Sequence, residues 1–153
     1  MKHFLHILVL TFVLVSPLRV LASTVTFDFS SDKGLNALEI KKPEKGKGTN
    51  LEKKGYTLQD VTLTQQKNNA PVPTRIWNRN ETTELRFYTG SSITFTVPTG
   101  YQITNIVFNG TQLNITTDKG QLNGREWNDG GTPTNSVTFT ASDRNYIKTI
   151  TIT

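Results

Sequence analysis

The chain has 153 residues, a formal net charge of +5, two histidines and no cysteine. The absence of cysteine excludes disulfide bonds, a thiol nucleophile and a lipid anchor attached to an N-terminal cysteine. Both histidines lie within the first six residues, so any chemistry that needs imidazole depends on whether that segment is retained.

Residues 1–22 follow the order of a secretory signal peptide. Lys2 supplies a positive charge, the mostly apolar run 4–15 follows, and Ala22 is a small residue at the expected cleavage site. The apolar run is shorter than the roughly 20 residues that a membrane-spanning helix needs. We therefore expect cleavage after Ala22, export to the periplasm or the cell exterior, and no membrane association afterwards.

Cleavage changes the chemistry that remains possible. Both histidines leave, which excludes a Ser-His-Asp triad, a histidine general base and an imidazole metal site. Loss of Lys2 and Arg19 lowers the formal charge from +5 to +3. Residues 23–153 are long enough for one hydrophobic core, and we predict a single domain.

Alternation of apolar residues with threonine and serine predicts short β-strands along the whole mature chain. In order, these strands are predicted at 24–29, 56–65, 75–77, 84–88, 92–97, 101–109, 135–141 and 147–153, with turns at 98–100, 109–110, 118–120 and 129–131. Eight to ten short strands of this kind predict an all-β fold, an antiparallel sandwich similar to a jelly roll. At most one short helix is expected, near residues 31–38, with Ser31 or Asp32 as its N-cap.

Two of these strands have an irregular spacing. Apolar residues are separated by three and then two positions at 103, 106 and 108, and again at 147, 150 and 152. A regular strand keeps a period of two, so each of these strands is predicted to contain one bulged residue.

The order of the strand segments supports a family resemblance. The segments are TVTFDF at 24–29, TRIW at 74–77, ELRFY at 84–88, SITFTVP at 92–98, ITNIVF at 103–108, SVTFTA at 136–141 and IKTITIT at 147–153. Together they resemble small threonine-rich β-sandwich modules of exported proteins from Bacteroides-type bacteria, which are similar to jelly-roll carbohydrate-binding domains. The resemblance implies a sandwich fold and an exported location, and it assigns no site residue.

Two tryptophans with polar neighbours are the candidate binding residues. Exposed aromatic rings stack on the apolar faces of sugars, while guanidinium, amide and carboxylate groups bond sugar hydroxyls. On a strand, Arg75, Trp77 and Arg79 would point to one face, and the arginines favour an exposed one. The candidate ligand-binding residues are Arg75, Trp77, Arg79, Trp127, Asn128 and Asp129. The alternative for each tryptophan is a ring that closes the core.

Other ligand classes have weaker patterns. The lysine-rich stretch 39–54 contains no aromatic residue on which bases could stack, so we expect no nucleic-acid binding. Asp118 and Asp129 lie in separate loops, and one acidic residue per loop is fewer than a dedicated calcium loop supplies. We therefore predict no cofactor, with Ca²⁺ as the alternative.

Three functions fit these residues. The first, which we favour, is an exported, non-catalytic binding module for a polysaccharide or a cell-surface protein. The second is a structural or adhesive sandwich without a small-molecule ligand. The third is a minimal carboxylate-based enzyme that degrades polysaccharide, with Glu81 and Glu84 as neighbouring carboxylates. A lyase-like site that uses Tyr88 as a base together with Arg86 is a further alternative, on the strand face that Glu84, Arg86 and Tyr88 share. For that face, a solvated ladder of polar side chains is the simpler interpretation.

Overall fold

The computed structural model describes residues 22–52, 55–80 and 82–153. The predicted signal peptide therefore lies outside the described residues except for Ala22, and its cleavage stays a prediction. Glu81, one of the two neighbouring carboxylates proposed for catalysis, also lies outside them. Among the described residues, no helix is both long and apolar enough to cross a bilayer.

Thirteen strands and one helix form within the described ranges. The strands are β1 (Val25–Asp28), β2 (Gly48–Asn50), β3 (Tyr56–Leu58), β4 (Val61–Gln66), β5 (Arg75–Arg79), β6 (Thr82–Phe87), β7 (Ser92–Thr96), β8 (Asn105–Gln112), β9 (Ile115–Thr117), β10 (Gln121–Asn123), β11 (Glu126–Asn128), β12 (Ser136–Ala141) and β13 (Asn145–Ile152). Helix α1 spans Asp32–Ala37, and Ser31 caps it by accepting a hydrogen bond from the Gly34 amide at 3.0 Å. The predicted short helix and its serine cap are confirmed.

Two antiparallel sheets pack against each other. The first has the strand order β10-β11-β8-β13-β6-β5-β2, and β1 also pairs with β13. The second has the order β3-β4-β7-β12-β9. The predicted all-β sandwich is confirmed. Thirteen strands exceed the eight to ten predicted because five of them (β2, β3, β9, β10 and β11) have only three residues, too few to show alternation.

A cluster of aromatic rings joins the two sheets. Phe139 on β12 makes edge-to-face contacts with Phe108 on β8, at 4.9 Å between ring centroids, and with Trp127 on β11, at 6.2 Å. Phe95 on β7 continues the cluster to Phe139 and to Phe27 on β1. Rings from both sheets therefore interlock at the centre of the core, where edge-to-face packing stabilises beyond simple burial.

Both predicted bulges are present. The register of β13 against β8 shifts at Lys148, which is the extra residue on its strand. At the start of β8, the backbone amides of Thr104 and Asn105 both donate to the carbonyl of Thr153, at 2.8 and 3.2 Å. At each bulge, two residues of one strand lie opposite a single residue of the partner strand. The extra residue shifts the alternation by one position, so the isoleucine that follows points into the core.

The hairpin turn predicted at Asn109-Gly110 is wrong. Both residues lie inside β8, where it pairs with β13. A β-carbon on Gly110 would lie only 2.1 Å from the carbonyl oxygen of Tyr146 and 2.8 Å from the Cα of Ile147. Glycine is needed here because two backbones approach closely at a register shift, and not because the chain reverses.

The strand predicted at 56–65 is also interrupted. A turn at Gln59 and Asp60 divides it into β3 and β4, which then pair with each other as a hairpin. Gln59 adopts a positive φ of 52°. Glutamine is not among the residues that favour this conformation, and Asp60 alone is a weak turn signal without a neighbouring glycine, asparagine or proline.

Asp28 organises the connection from β1 to α1. Its Oδ1 accepts hydrogen bonds from the Ser30 amide at 2.8 Å and the Ser30 hydroxyl at 2.7 Å, and its Oδ2 accepts one from the Ser31 hydroxyl. Partial burial raises the pKa of Asp28, but the hydrogen bonds to the carboxylate outweigh burial and hold the pKa below its usual 3.8.

Replacing Asp28 with asparagine is expected to lower stability at neutral pH. A carboxyl with a depressed folded pKa stabilises the protein above its unfolded pKa, near 3.8, and this contribution is lost as the pH falls through the folded pKa. Urea unfolding at several pH values between neutral and strongly acidic measures the difference. Asp60→Asn, at an exposed turn, is the control. Wild type and Asp28→Asn curves that fall in parallel through this acidic range would contradict the prediction.

Candidate functional site

Strand β5 places its arginines and Trp77 on the outer face of the first sheet. Ile76 is fully buried, and Asn78 is also buried at 4 % exposure. The alternating Arg75 and Trp77 are half-buried, and Arg79 is exposed. Residues of one strand point alternately to opposite faces, so Trp77 lies on the solvent side with an arginine on each side of it in the strand.

Trp77 is one layer of a three-layer stack that also contains Arg86 on β6 and Tyr146 on β13. The guanidinium carbon of Arg86 lies 4.8 Å from the centre of the Trp77 ring and 4.7 Å from the centre of the Tyr146 ring. Strands β13, β6 and β5 are neighbours in that order, so the cation lies between two aromatic rings. Each of these cation–π contacts is favourable, the more so where water is partly excluded. We call these three residues the arginine stack.

Glu84 holds the arginine stack in place. Its Oε1 accepts hydrogen bonds from Nε of Arg86 at 2.8 Å and from Nη2 at 2.6 Å. Only 9 % of the Glu84 side chain and 16 % of the Arg86 side chain are exposed. Surface ion pairs contribute little, but this pair is largely shielded from solvent, so it orients the guanidinium strongly.

Gly48 on the edge strand β2 allows Trp77 to take this position. The two residues are directly opposite each other in the β2–β5 pair. A β-carbon on Gly48 would lie 2.9 Å from Cε3 of Trp77 and 2.9 Å from Cδ of Arg75. The Trp77 ring is thus packed between the β2 backbone and Arg86. It forms the side of a groove and is not the open, flat stacking surface that the sequence suggested.

A groove of about 480 Å³ lies over the arginine stack. Besides the stack, Pro71, Tyr88, Asp143 and Arg144 contribute to its lining. The groove therefore combines aromatic rings, a hydroxyl and charged groups of both signs on one surface. Its volume is within the range of ligand pockets, roughly 300–1,000 Å³.

The second predicted cluster lies elsewhere. Trp127 is fully buried, and its indole N–H donates to the carbonyl of Lys119 at 2.7 Å. The ring closes the core, so it is not available for stacking on a sugar. Three strands, β8, β13 and β6, separate β11 from β5, so Trp127 does not join the arginine stack.

Asn128 and Asp129 shape a turn. Oδ1 of Asn128 accepts from the Gly130 amide at 3.0 Å, and Oδ1 of Asp129 accepts from the Gly131 amide at 2.9 Å. An asparagine or aspartate side chain that accepts a hydrogen bond from the backbone N–H two residues later is typical of turns. The structure thus gives both side chains a local structural role.

Acidic groups are dispersed over the described part of the chain. Across residues 22–52, 55–80 and 82–153, no three acidic, histidine or cysteine side chains are grouped so as to hold a metal ion. Asp118, considered for calcium, accepts a hydrogen bond from the Thr138 amide at 2.9 Å. Among the described carboxylates, Asp143 lines the groove, and Glu84 pairs with Arg86.

A second depression, of about 680 Å³, lies at one end of the sandwich. It contains Tyr101, whose exposure is 51 %, together with Gln102, Thr104 and the first described residues, Ala22 and Ser23. Among the described residues that line it, none has a charged side chain to bond a sugar. The groove over the arginine stack is therefore the stronger candidate site.

The sequence predicted two of the strand faces that form this site. It placed Arg75, Trp77 and Arg79 on one face of a strand and Glu84, Arg86 and Tyr88 on one face of another. It missed Tyr146, which follows Arg86 by sixty positions and reaches it only through the pairing of β13 with β6.

No protein-family model, no curated protein and no solved structure matches this chain. The candidate site rests on the geometry of the described residues. The resemblance to exported sandwich modules of Bacteroides-type bacteria stays a prediction.

Proposed function

We propose that this protein is a non-catalytic binding module that holds a glycan in the groove over the arginine stack. The observation that carries the proposal is the Arg86 guanidinium, which is held between two rings and oriented by Glu84. Because these side chains are ordered before a ligand arrives, less conformational entropy is lost on binding.

The groove offers the two kinds of contact that a sugar needs. Guanidinium N–H groups donate to hydroxyl oxygens, and Arg86 still has donors for this purpose. Its Nη1 has no hydrogen-bond partner in the described part of the chain. The rings of Trp77 and Tyr146, together with Tyr88, supply apolar surface with polar tips for the C–H groups of the sugar.

The contacts of the carboxylates near the groove favour a glycan-binding module over a glycosidase. A glycosidase needs two carboxylates, roughly 5–10 Å apart, on either side of the scissile bond. Glu84 is occupied by two hydrogen bonds from Arg86, and Oδ1 of Asp143 accepts the backbone amide of Arg144 at 2.7 Å. The predicted export would bring such a module into contact with glycans outside the cytoplasm.

Trp77→Ala is expected to weaken glycan binding by about tenfold or more, because it removes one ring of the stack and releases Arg86. Affinity electrophoresis of the mature protein through gels that contain different soluble polysaccharides measures the effect. Tyr101→Ala is the matched control, since it removes an exposed ring outside the groove. Circular dichroism verifies that each variant is folded.

Two results would contradict the proposal. One is retardation of Trp77→Ala equal to that of the wild type in every gel that retards the wild type. The other is absence of retardation by any polysaccharide, which would favour the ligand-free structural or adhesive sandwich.

A further inference from the structure

We infer that the groove selects acidic saccharides, whose carboxylate or sulfate group binds between the guanidinium groups of Arg86 and Arg144. This inference rests on the proposed function and names the ligand class for the same groove. It follows from the distribution of charge over the molecule and from the free donors of the two arginines.

The strands that carry the groove hold an excess of positive charge, and two of their basic residues, Arg86 and Arg144, line the groove itself. Strands β5, β6 and β13, with the turn that precedes β13, carry five basic and two acidic side chains. These are Arg75, Arg79, Arg86, Arg144 and Lys148, and Glu84 and Asp143. The rest of residues 23–153 carries ten basic and ten acidic side chains, so it is balanced. A basic patch beside a groove attracts anionic ligands and raises their association rate.

The two arginines that line the groove have donors available for an anion. Arg86 uses Nε and Nη2 for Glu84 and leaves Nη1 free of hydrogen bonds to any described residue. Arg144 is exposed, and its guanidinium has no ion pair or hydrogen bond with the described residues. Guanidinium groups bind carboxylates and sulfates through charge-assisted hydrogen bonds, about twice as strong as neutral ones. A charged saccharide therefore gains more here than a neutral one.

Two carboxylates oppose an anion, and neither outweighs the arginines. Glu84 is balanced by its direct contact with Arg86. Asp143 lines the groove beside Arg144, and its Oδ1 is occupied by the Arg144 amide. Arg75, directly across the strand pair from Arg86, adds a further positive charge.

Polysaccharide pairs that share a backbone and differ in whether it carries an acidic group test the inference. Polygalacturonate carries a carboxylate on each sugar, and its fully methyl-esterified form is neutral. Dextran sulfate and dextran form a second pair for the sulfate group. Affinity electrophoresis is expected to give at least tenfold tighter binding to one acidic polymer than to its neutral counterpart. Added salt is expected to weaken this binding, because it screens the charges.

Arg144→Gln is expected to reduce the affinity for the acidic polymer at least fivefold and to narrow the difference in affinity between the acidic and the neutral form. Arg125→Gln is the matched control, because it removes another exposed arginine, between β10 and β11, at the edge of the sheet away from β5.

Each alternative outcome has a distinct meaning. Equal affinity for acidic and neutral forms overturns the inference and leaves the proposed function intact. An equal loss in Arg144→Gln and Arg125→Gln shows general charge attraction and also overturns the inference. Failure of the mature protein to bind any polysaccharide in either pair and in the wider panel overturns the proposed function itself.

Discussion

Trp127→Ala is expected to lower the free energy of unfolding by about 3–5 kcal/mol, as truncation of a large aromatic side chain in a core does. Trp127 is fully buried against Phe139, at 6.2 Å between ring centroids. The change would open a cavity between the two sheets. It would also leave the carbonyl of Lys119 without the indole N–H that now donates to it at 2.7 Å.

Urea or guanidinium unfolding, followed by circular dichroism, measures this loss. Trp77→Ala is the matched comparison, because the same substitution at a half-buried position on the sheet surface leaves no internal cavity. We expect its destabilisation to be clearly smaller. A loss at Trp77 equal to or larger than the loss at Trp127 would contradict the assignment of one ring to the core and the other to the groove.

Arg86→Ala is expected to abolish glycan binding and to destabilise the fold by about 1–3 kcal/mol. The arginine provides the middle layer of the stack and the only cation in hydrogen-bond contact with Glu84 among the described residues. Without it, the Glu84 side chain, 9 % exposed, would lose both hydrogen bonds that Arg86 now donates to its Oε1. Trp77 and Tyr146 would also lose the group that fixes their separation.

Two further variants test whether these effects depend on the guanidinium group of Arg86 and on its position in the groove. Arg86→Lys keeps the positive charge but lacks the planar guanidinium that can bond Glu84 and a ligand at the same time. We therefore expect it to be more stable than Arg86→Ala but still to bind glycan weakly. Arg79→Ala removes an exposed arginine on β5 outside the groove, so it is expected to leave stability unchanged and to weaken binding far less than Arg86→Ala does. Wild-type affinity in Arg86→Ala, measured on folded protein in the same gels, would show that the ligand binds elsewhere.

The two tryptophan segments show how well the alternation of side chains along one strand predicts which face a tryptophan occupies. Each tryptophan has charged or amide neighbours, and in both segments the pattern alone is compatible with a core ring. On β5, five residues of alternation with Ile76 and Asn78 turned inward place Trp77 outside. Strand β11 has only three residues including Trp127, and the exposed Glu126 before it is the one sign of an inward ring. Strand length therefore decides how well a face can be inferred.

The error at Asn109-Gly110 has a related cause. Asparagine followed by glycine favours a tight turn, because both tolerate a positive φ. Here glycine is required for a different reason, because the backbone of Tyr146 lies too close to the β8 backbone to leave room for a side chain. That contact joins residues distant in sequence, so no local pattern indicated it.

The sequence alone predicts the sandwich, the short helix and both bulges. It also predicts the two strand faces that carry Arg75 with Trp77 and Glu84 with Arg86. These features follow from side-chain alternation and capping, which act between residues close in the chain. Only the tertiary structure decided which tryptophan entered the core and that Tyr146 completes the stack around Arg86. Those contacts depend on which strands become neighbours and in which register. That choice is made by the packing of the whole core and not by any one segment.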